Sequence, residues 1–450
     1  MKANDSLNEM KKQQVEVDKN KVLSANTERR TAFYNQYPHF FANVDQLEYA
    51  LYDIMPMTKE KIDEIYDATN ILWRIFQKVA KQFKHLSAEQ LVMLGIREEM
   101  IPFISLDYLP QQSVLARFDF ICTEEGAIKA IELNGDTPFL ITETFEMNQF
   151  LCDEFGYENT NRADVLIKSL SQALFASIQY LNKPTSAPIK VVITGKEAQE
   201  DFEENAHVQY IQKHLPFEIE YVPIKQLIIY EENTATIERG LYTPNMERID
   251  ILYRPAHPLE FLIDDVSDDG ELTPIGLSLL EMVQDKQLAI INSPAAYVLQ
   301  SKILLWLIWE RRGEPLLFTA EERAAIEKYM LPTYMSAEPF VSKGIGYVKK
   351  PVFSREGNTI EIHKANGEKQ ATSQFAHYTD NLYIYQHYIE MPSINITLKD
   401  GKHSKKWLIG SFVADGRACG LACRVGNDIT EWDSHWLAVG MKVNNNNWRN

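Results

Sequence analysis

The chain has 450 residues, which at roughly 150 residues per domain points to two or three structural units. Apolar residues at 45%, aromatics at 11% and charged residues at 24% exclude a disordered chain. With 46 Lys+Arg against 63 Asp+Glu the net charge is −17, which excludes a polybasic partner of nucleic acid or anionic membrane unless a local basic patch runs against it.

Residues 1–30 read as a polar, charged leader, frayed or an exposed helix, without an apolar stretch, so no secretory signal is read and a reducing cytoplasm is the expected compartment. From Thr31 to about Arg97 the pattern turns helical, with Ile62, Ile65, Ile71, Leu72, Ile75, Phe76 and Val79 at helical spacing. Pro102 and Pro110 break it. Two alternating runs, Val114–Ile121 and Ile128–Asn134, are joined by Thr-Glu-Glu-Gly and predict a β-hairpin. A helix-rich piece follows to Leu181. Strands at Ile189–Ile193 and Ile219–Val222, with an amphipathic stretch near Gln209–His214 between them, predict a βαβ unit that continues to a strand at Ile249–Tyr253.

The acidic segment Asp264–Glu271 reads as a solvated loop or helix entry in preference to a metal site. A helix over Ser301–Arg312 carries the most apolar run, Ile303–Trp309, which is too short to span a bilayer. The remainder is β-rich, with turns at Glu356-Gly357-Asn358, Asp400-Gly401 and Asp415-Gly416 and a low-complexity run at Asn444–Asn447. Cys122, Cys152, Cys419 and Cys423 are too few for a disulfide framework, and no second pair completes a zinc site beside Cys419 and Cys423. Buried thiols are expected.

Four constellations carry chemistry. In ARFDF…AIELNGDTP, strand alternation puts Arg117 and Asp119 on one face, and Glu132 and Asn134 on one face of the partner strand. Two carboxylates and an amide oxygen suit Mg²⁺, and an arginine beside them suits a phosphate or a developing oxyanion. A solvated sheet face with a salt bridge has the same pattern, and a paired-carboxylate glycosidase fits less well because of the arginine. In YVKKPVFSREGNTIEI, Lys350 and Arg355 flank a loop whose Gly357 permits close backbone approach to phosphate. A hairpin with a basic tip is the plain alternative, and no Walker loop occurs in the chain. Lys302 sits in the first turn of its helix, unfavourable for a cation unless an anion answers it. The C-terminal run IGSFVADGRACGLACRVGNDIT predicts a hairpin with Arg424 at a strand end.

Together and in this order, ARFDF…IELNGDTP, ILYRPAHPLEFL, NSPAAYVLQSKILLWLIWE, YVKKPVFSREGNTIEI, YIYQHYIEMP and IGSFVADGRACGLACRVGNDIT resemble the glutathionylspermidine synthase family, over about residues 90–436. The resemblance implies an α+β fold of the ATP-grasp type, a βαβ pre-ATP-grasp region and a helical lead-in, in a synthetase-only form without the family's amidase domain. It divides the chain into a leader (1–30), a helical region with the site hairpin (31–185), a pre-grasp part (186–290) and a nucleotide clamp (291–450). It implies ATP- and Mg²⁺-dependent joining of a carboxylate to an amine through an acyl-phosphate. Asp119, Glu132 and Asn134 match the metal ligands, and Arg117 matches the arginine that stabilises the acyl-phosphate and tetrahedral intermediate. Lys302, Lys350, Arg355, Gly357, Gln386 and Arg424 fall to ATP, and Glu260 to the substrate. Gln386-His387 stands where the family commonly has Gln-Glu. Small-molecule acid and amine partners are expected, with no nucleic acid and no membrane. The rival readings are a non-catalytic ATP-binding or sensing protein on the same fold and a small-molecule kinase.

Overall fold

The computed structural model of the protein describes residues 23–442 apart from 45, 185–186, 197–201, 268–271 and 380–381. The leader up to residue 22, the end of the acidic segment and the asparagine run at 444–447 lie outside the described residues. In chain order, the strands up to residue 291 are β1 (Ala50–Met57), β2 (Leu115–Cys122), β3 (Ile128–Asn134), β4 (Val191–Gly195), β5 (Ile219–Pro223), β6 (Ile228–Tyr230), β7 (Gly240–Tyr242), β8 (Ile251–Tyr253) and β9 (Ala289–Ile291). The rest contributes β10 (Thr333–Tyr334), β11 (Tyr347–Pro351), β12 (Glu361–His363), β13 (Lys369–Thr372), β14 (Tyr383–His387), β15 (Ser393–Leu398), β16 (Gly401–Ala414), β17 (Arg417–Gly426) and β18 (His435–Met441).

These strands build three principal sheets. The largest runs β1-β18-β17-β16-β2-β3, with β15 beside β16. A clamp sheet runs β10-β14-β11-β12-β13, and a parallel sheet runs β5-β4-β8-β9. The predicted βαβ unit is that parallel sheet, with the helix Phe202–His214 crossing between β4 and β5.

β2 lies between β3 and β16 and is buried along its whole length. Its apolar face carries Ala116, Phe118 and Phe120 and packs on the helix Lys59–Ala80, where Phe76 meets Phe118 edge-on at 5.2 Å. That helix starts where Thr58 accepts a hydrogen bond from the Lys61 amide, and it buries one stripe including Ile62, Ile65, Leu72 and Phe76. The other face of β2 is thereby left to Arg117 and Asp119.

One expectation fails. The stretch from Thr31 to Arg97 is interrupted by the strand β1, which pairs parallel with β18 from the far end of the chain. Local periodicity carries no trace of a partner almost four hundred residues away, and Pro56 is tolerated because β1 lies on the sheet edge. The four cysteines are buried free thiols, as expected. Asp264 pairs with Arg97 at 2.6 Å and Asp265 shares a hydrogen bond with His257 at 2.8 Å, so these two acidic side chains are held by their neighbours. No helix of the described residues is long and apolar enough to cross a membrane.

Candidate active site

The hairpin β2–β3 is the floor of the site. Its register pairs Arg117 with Asn134 and Asp119 with Glu132, so four polar side chains emerge on one face as the alternation requires. Arg117 lies along its own strand: Nε donates to Asp119 Oδ1 at 2.6 Å, Nη2 to Oδ2 at 3.0 Å and Nη1 to the Phe139 carbonyl at 3.1 Å. Asn134 Nδ2 stands 3.4 Å from Asp119 Oδ2 and 3.5 Å from Glu132 Oε1. Turning the Asn134 amide over points its oxygen to the same spot, so the three side chains fit a hard divalent cation that keeps several waters. Among the described residues no group of three or more His, Cys, Asp or Glu side chains is placed to hold a metal. Asp119, Glu132 and Asn134, two carboxylates and an amide, are therefore the oxygen-donor set that the sequence singled out.

Cations arrive from three other elements. Lys302 precedes the helix Ile303–Arg311; its Nζ donates to the Ser354 carbonyl at 2.7 Å and lies 3.5 Å from Glu132 Oε2. Glu132 is thus the anion that a lysine at a helix start calls for. Lys350 of β11 donates to the Ile131 carbonyl at 3.1 Å and to Gln386 Oε1 of the neighbouring strand β14 at 2.8 Å. Arg424 of β17 donates to the Glu431 carbonyl at 3.1 Å and to Ser434 Oγ at 3.0 Å.

The electrostatics follow. Burial alone would raise the Glu132 carboxyl, but Lys302, Lys350, Arg117 and Arg424 outweigh it and hold the group down at about 2. Burial pushes the Lys350 ammonium down to about 8 against the pull of Glu132. Burial, and then Arg117 beside it, lowers Arg424 as well. A site that strains its own cations is one that an added anion would relieve.

Arg355 ties the glycine loop across the cavity: it donates to Thr137 Oγ1 and pairs with Glu260 Oε1 at 3.1 Å. The pairing lacks hydrogen-bond alignment, so both buried Glu260 oxygens keep open acceptor positions. Glu356 and Gly357 adopt φ of +53° and +70°. A Cβ on Gly357 would stand 2.8 Å from the Thr430 carbonyl oxygen, so only glycine lets the loop press against that segment.

Two spaces meet here. A narrow slot of about 80 Å³ lies between the large and clamp sheets, with walls of Ile131, Val348, Ile362, Met391 and Leu408 and with Lys350 and Gln386 along it. A polar cavity of about 610 Å³ opens beyond it, lined by Arg117, Asn134, Thr137, Arg355 and Tyr49. Glu132 and Arg424 border both. Every residue that the sequence singled out is therefore in or beside this junction. The sequence did not single out Thr137 or Arg254, although both stand in quoted motifs, and it missed Tyr49 and Glu143, which carry no local pattern. Arg254 forms a buried two-pronged ion pair with Asp136, the second residue after β3.

Known proteins resemble this chain along most of its length. The family profile described as glutathionylspermidine synthase preATP-grasp matches residues 23–441. A Haemophilus influenzae protein whose name provisionally makes it an acid–amine ligase is 22% identical over 389 residues, 84% of this chain and 87% of the relative. A solved structure of a glutathione synthetase-like effector from Globodera pallida superposes with a TM-score of 0.57, covering 94% of this chain and 97% of its own at 12% identity, a likeness of fold alone. The α+β ATP-grasp architecture expected from the sequence is the fold of the protein, and the chain belongs to the glutathionylspermidine synthase family.

Proposed function

We propose that this acid–amine ligase consumes ATP to join a peptide-like carboxylic acid to an amine through an acyl-phosphate. The observation that carries the proposal is the meeting of Arg117, Lys302, Lys350 and Arg424 over two carboxylates, where an apolar slot opens into a wide polar cavity. A slot with aliphatic walls and one amide suits a flat heteroaromatic base, with Gln386 reading its edge. Lys302 and Lys350 neutralise the phosphates, which lets the substrate carboxylate approach the γ-phosphorus from the wide cavity. Asp119, Glu132 and Asn134 would hold Mg²⁺, whose charge would neutralise phosphate oxygens. Arg117, and Arg424 beside it, face the oxyanion that develops as the amine adds. One such donor contributes about 3–4 kcal/mol.

The Gly357 loop excludes water from the acyl-phosphate, and Arg355 holds it there through Thr137 and Glu260. The open acceptors of Glu260 suit a substrate ammonium or amide N–H. A site this positive inside a chain of net charge −17 is the local exception that the composition left room for.

The test is to incubate the protein with Mg-ATP and arrays of short peptide acids and di- or polyamines, reading ADP, phosphate and product mass. ADP, phosphate and an amide are expected. A stable phosphorylated product would mean a kinase, and ATP binding by calorimetry without ADP in any well would mean a sensor. Asp119→Ala is expected to lower ADP release at least about 100-fold; equal release would sink the metal assignment.

A further inference from the structure

Tyr49 and Glu143 sit behind the two arginines and have no part in the chemistry above. Tyr49 stacks on Phe41 just ahead of β1, and its hydroxyl donates to Glu143 Oε1 at 2.6 Å. Glu143 opens a π-helical turn, Glu143–Met147, a backbone irregularity frequent at functional sites. The turn packs on β17 and β18 and leaves Glu143 only 1% exposed. Burial lifts its carboxyl to about 7, against the Tyr49 hydrogen bond and Arg117.

Tyr49 is half-buried and reaches the polar cavity in company with Arg117 and Arg424. Its hydroxyl is close enough to both arginines to interact with their charge. Amide formation needs a proton acceptor at this spot, because the amine nitrogen sheds a proton as it becomes an amide. Beside the two arginines, Asp119 is already paired with Arg117 and Glu132 with Lys302.

We infer that Tyr49 and Glu143 form the proton exit for the attacking amine, with the Tyr49 hydroxyl touching the nitrogen and Glu143 as the acceptor behind it. The inference rests on the ligase proposal above. The nitrogen lone pair forms the C–N bond, and the C–O bond to phosphorus-bearing oxygen breaks with its electron pair leaving on phosphate. The proton shed by nitrogen passes to the Tyr49 oxygen while the hydroxyl's own proton moves along the existing hydrogen bond to the Glu143 carboxylate. After release, Glu143 returns that proton by the reverse path to phosphate or water.

Glu143→Gln still accepts a hydrogen bond from Tyr49 but takes no proton, and Tyr49→Phe removes the relay atom. Each variant is to be run with Mg-ATP and the peptide acid that supports ADP release by the unsubstituted protein, once with an alkylamine and once with hydroxylamine. Hydroxylamine is free of its extra proton at neutral pH and is a far weaker base, so it attacks an acyl-phosphate with little need of a general base. Alkylamine ligation is expected to fall about 100-fold or more in both variants, with hydroxamate formation held within about threefold because that reaction needs only the folded site. Equal falls with both nucleophiles, or no fall with either, would overturn the relay and leave the ligase proposal standing. If the unsubstituted protein gives neither ADP nor hydroxamate with any acid, the ligase proposal itself is overturned and the relay with it.

Discussion

Asp136 is the tie between the site hairpin and the parallel sheet, and its removal should be expensive. Its carboxylate accepts from Arg254 Nη1 at 2.9 Å, from Arg254 Nη2 at 2.8 Å and from the Leu259 amide at 2.8 Å. Both side chains of the pair are 1% exposed, so water cannot replace either partner. In Asp136→Ala the guanidinium keeps only the His257 and Asn292 carbonyls, at 2.8 and 3.0 Å. Stranding one member of a buried pair costs about 3–5 kcal/mol. An orphaned amide at Leu259 costs about 1–3 kcal/mol in addition. The two overlap through shared relaxation, and about 4 kcal/mol is the expected total. Guanidinium denaturation followed by tryptophan fluorescence measures it. Replacing both partners by apolar residues, Asp136→Leu with Arg254→Met, removes the stranded charge and should recover most of the loss, short by the Leu259 amide. A single variant within about 1 kcal/mol of the parent, or a double variant less stable than the single, would refute the reasoning.

Other perturbations act more locally. A Cβ on Gly410 would stand 2.7 Å from Arg117 Cδ, so Gly410→Ala should push the guanidinium off Asp119; ADP release is expected to fall about tenfold, about 1.4 kcal/mol, with little change in melting temperature, and unchanged turnover would count against Arg117. In Gly357→Ala the new Cβ meets backbone at 2.8 Å with φ at +70°, so ATP affinity by calorimetry should weaken about tenfold or more. Affinity equal to the parent's would separate the loop from the nucleotide. The Glu143 carboxyl is raised to about 7 in the fold, so the folded chain holds its proton more tightly than the unfolded chain. Its contribution is full below the unfolded value and is lost as pH rises through the folded one, up to about 3 kcal/mol. Glu143→Gln should therefore melt higher than the parent at pH 8 and lose that advantage near pH 4; the reverse order would contradict a buried, proton-binding carboxyl.

The hairpin was legible because strand alternation is a local rule: Arg117, Asp119, Glu132 and Asn134 follow from counting by twos. Lys302 was legible as an anomaly, a cation at a helix start, and Glu132 resolves it. The βαβ unit followed from alternating element types. β1 was hidden because its partner is β18, and a pairing between residues such as Ala50 and Trp436 leaves no mark on either segment. Tyr49 and Glu143 were hidden for the same reason, since only packing makes them neighbours. The role of Asp136 and Arg254 as a tie needs the fold, because a carboxylate and a guanidinium 118 positions apart are unremarkable until both are buried.

The order of strands in the large sheet has a consequence for how the protein comes into being. β1 and β2 leave the ribosome early, yet the neighbours that complete their sheet, β16, β17 and β18, are among the last strands synthesised. Until then one edge of β1 and one edge of β2 stand unpaired, and Arg424 is not yet beside Asp119. Pairings of such long range close slowly, and the waiting segments are open to mispairing with other chains. The nascent chain therefore spends most of its synthesis with an incomplete site, which is assembled only when β17, the strand that carries Arg424, docks.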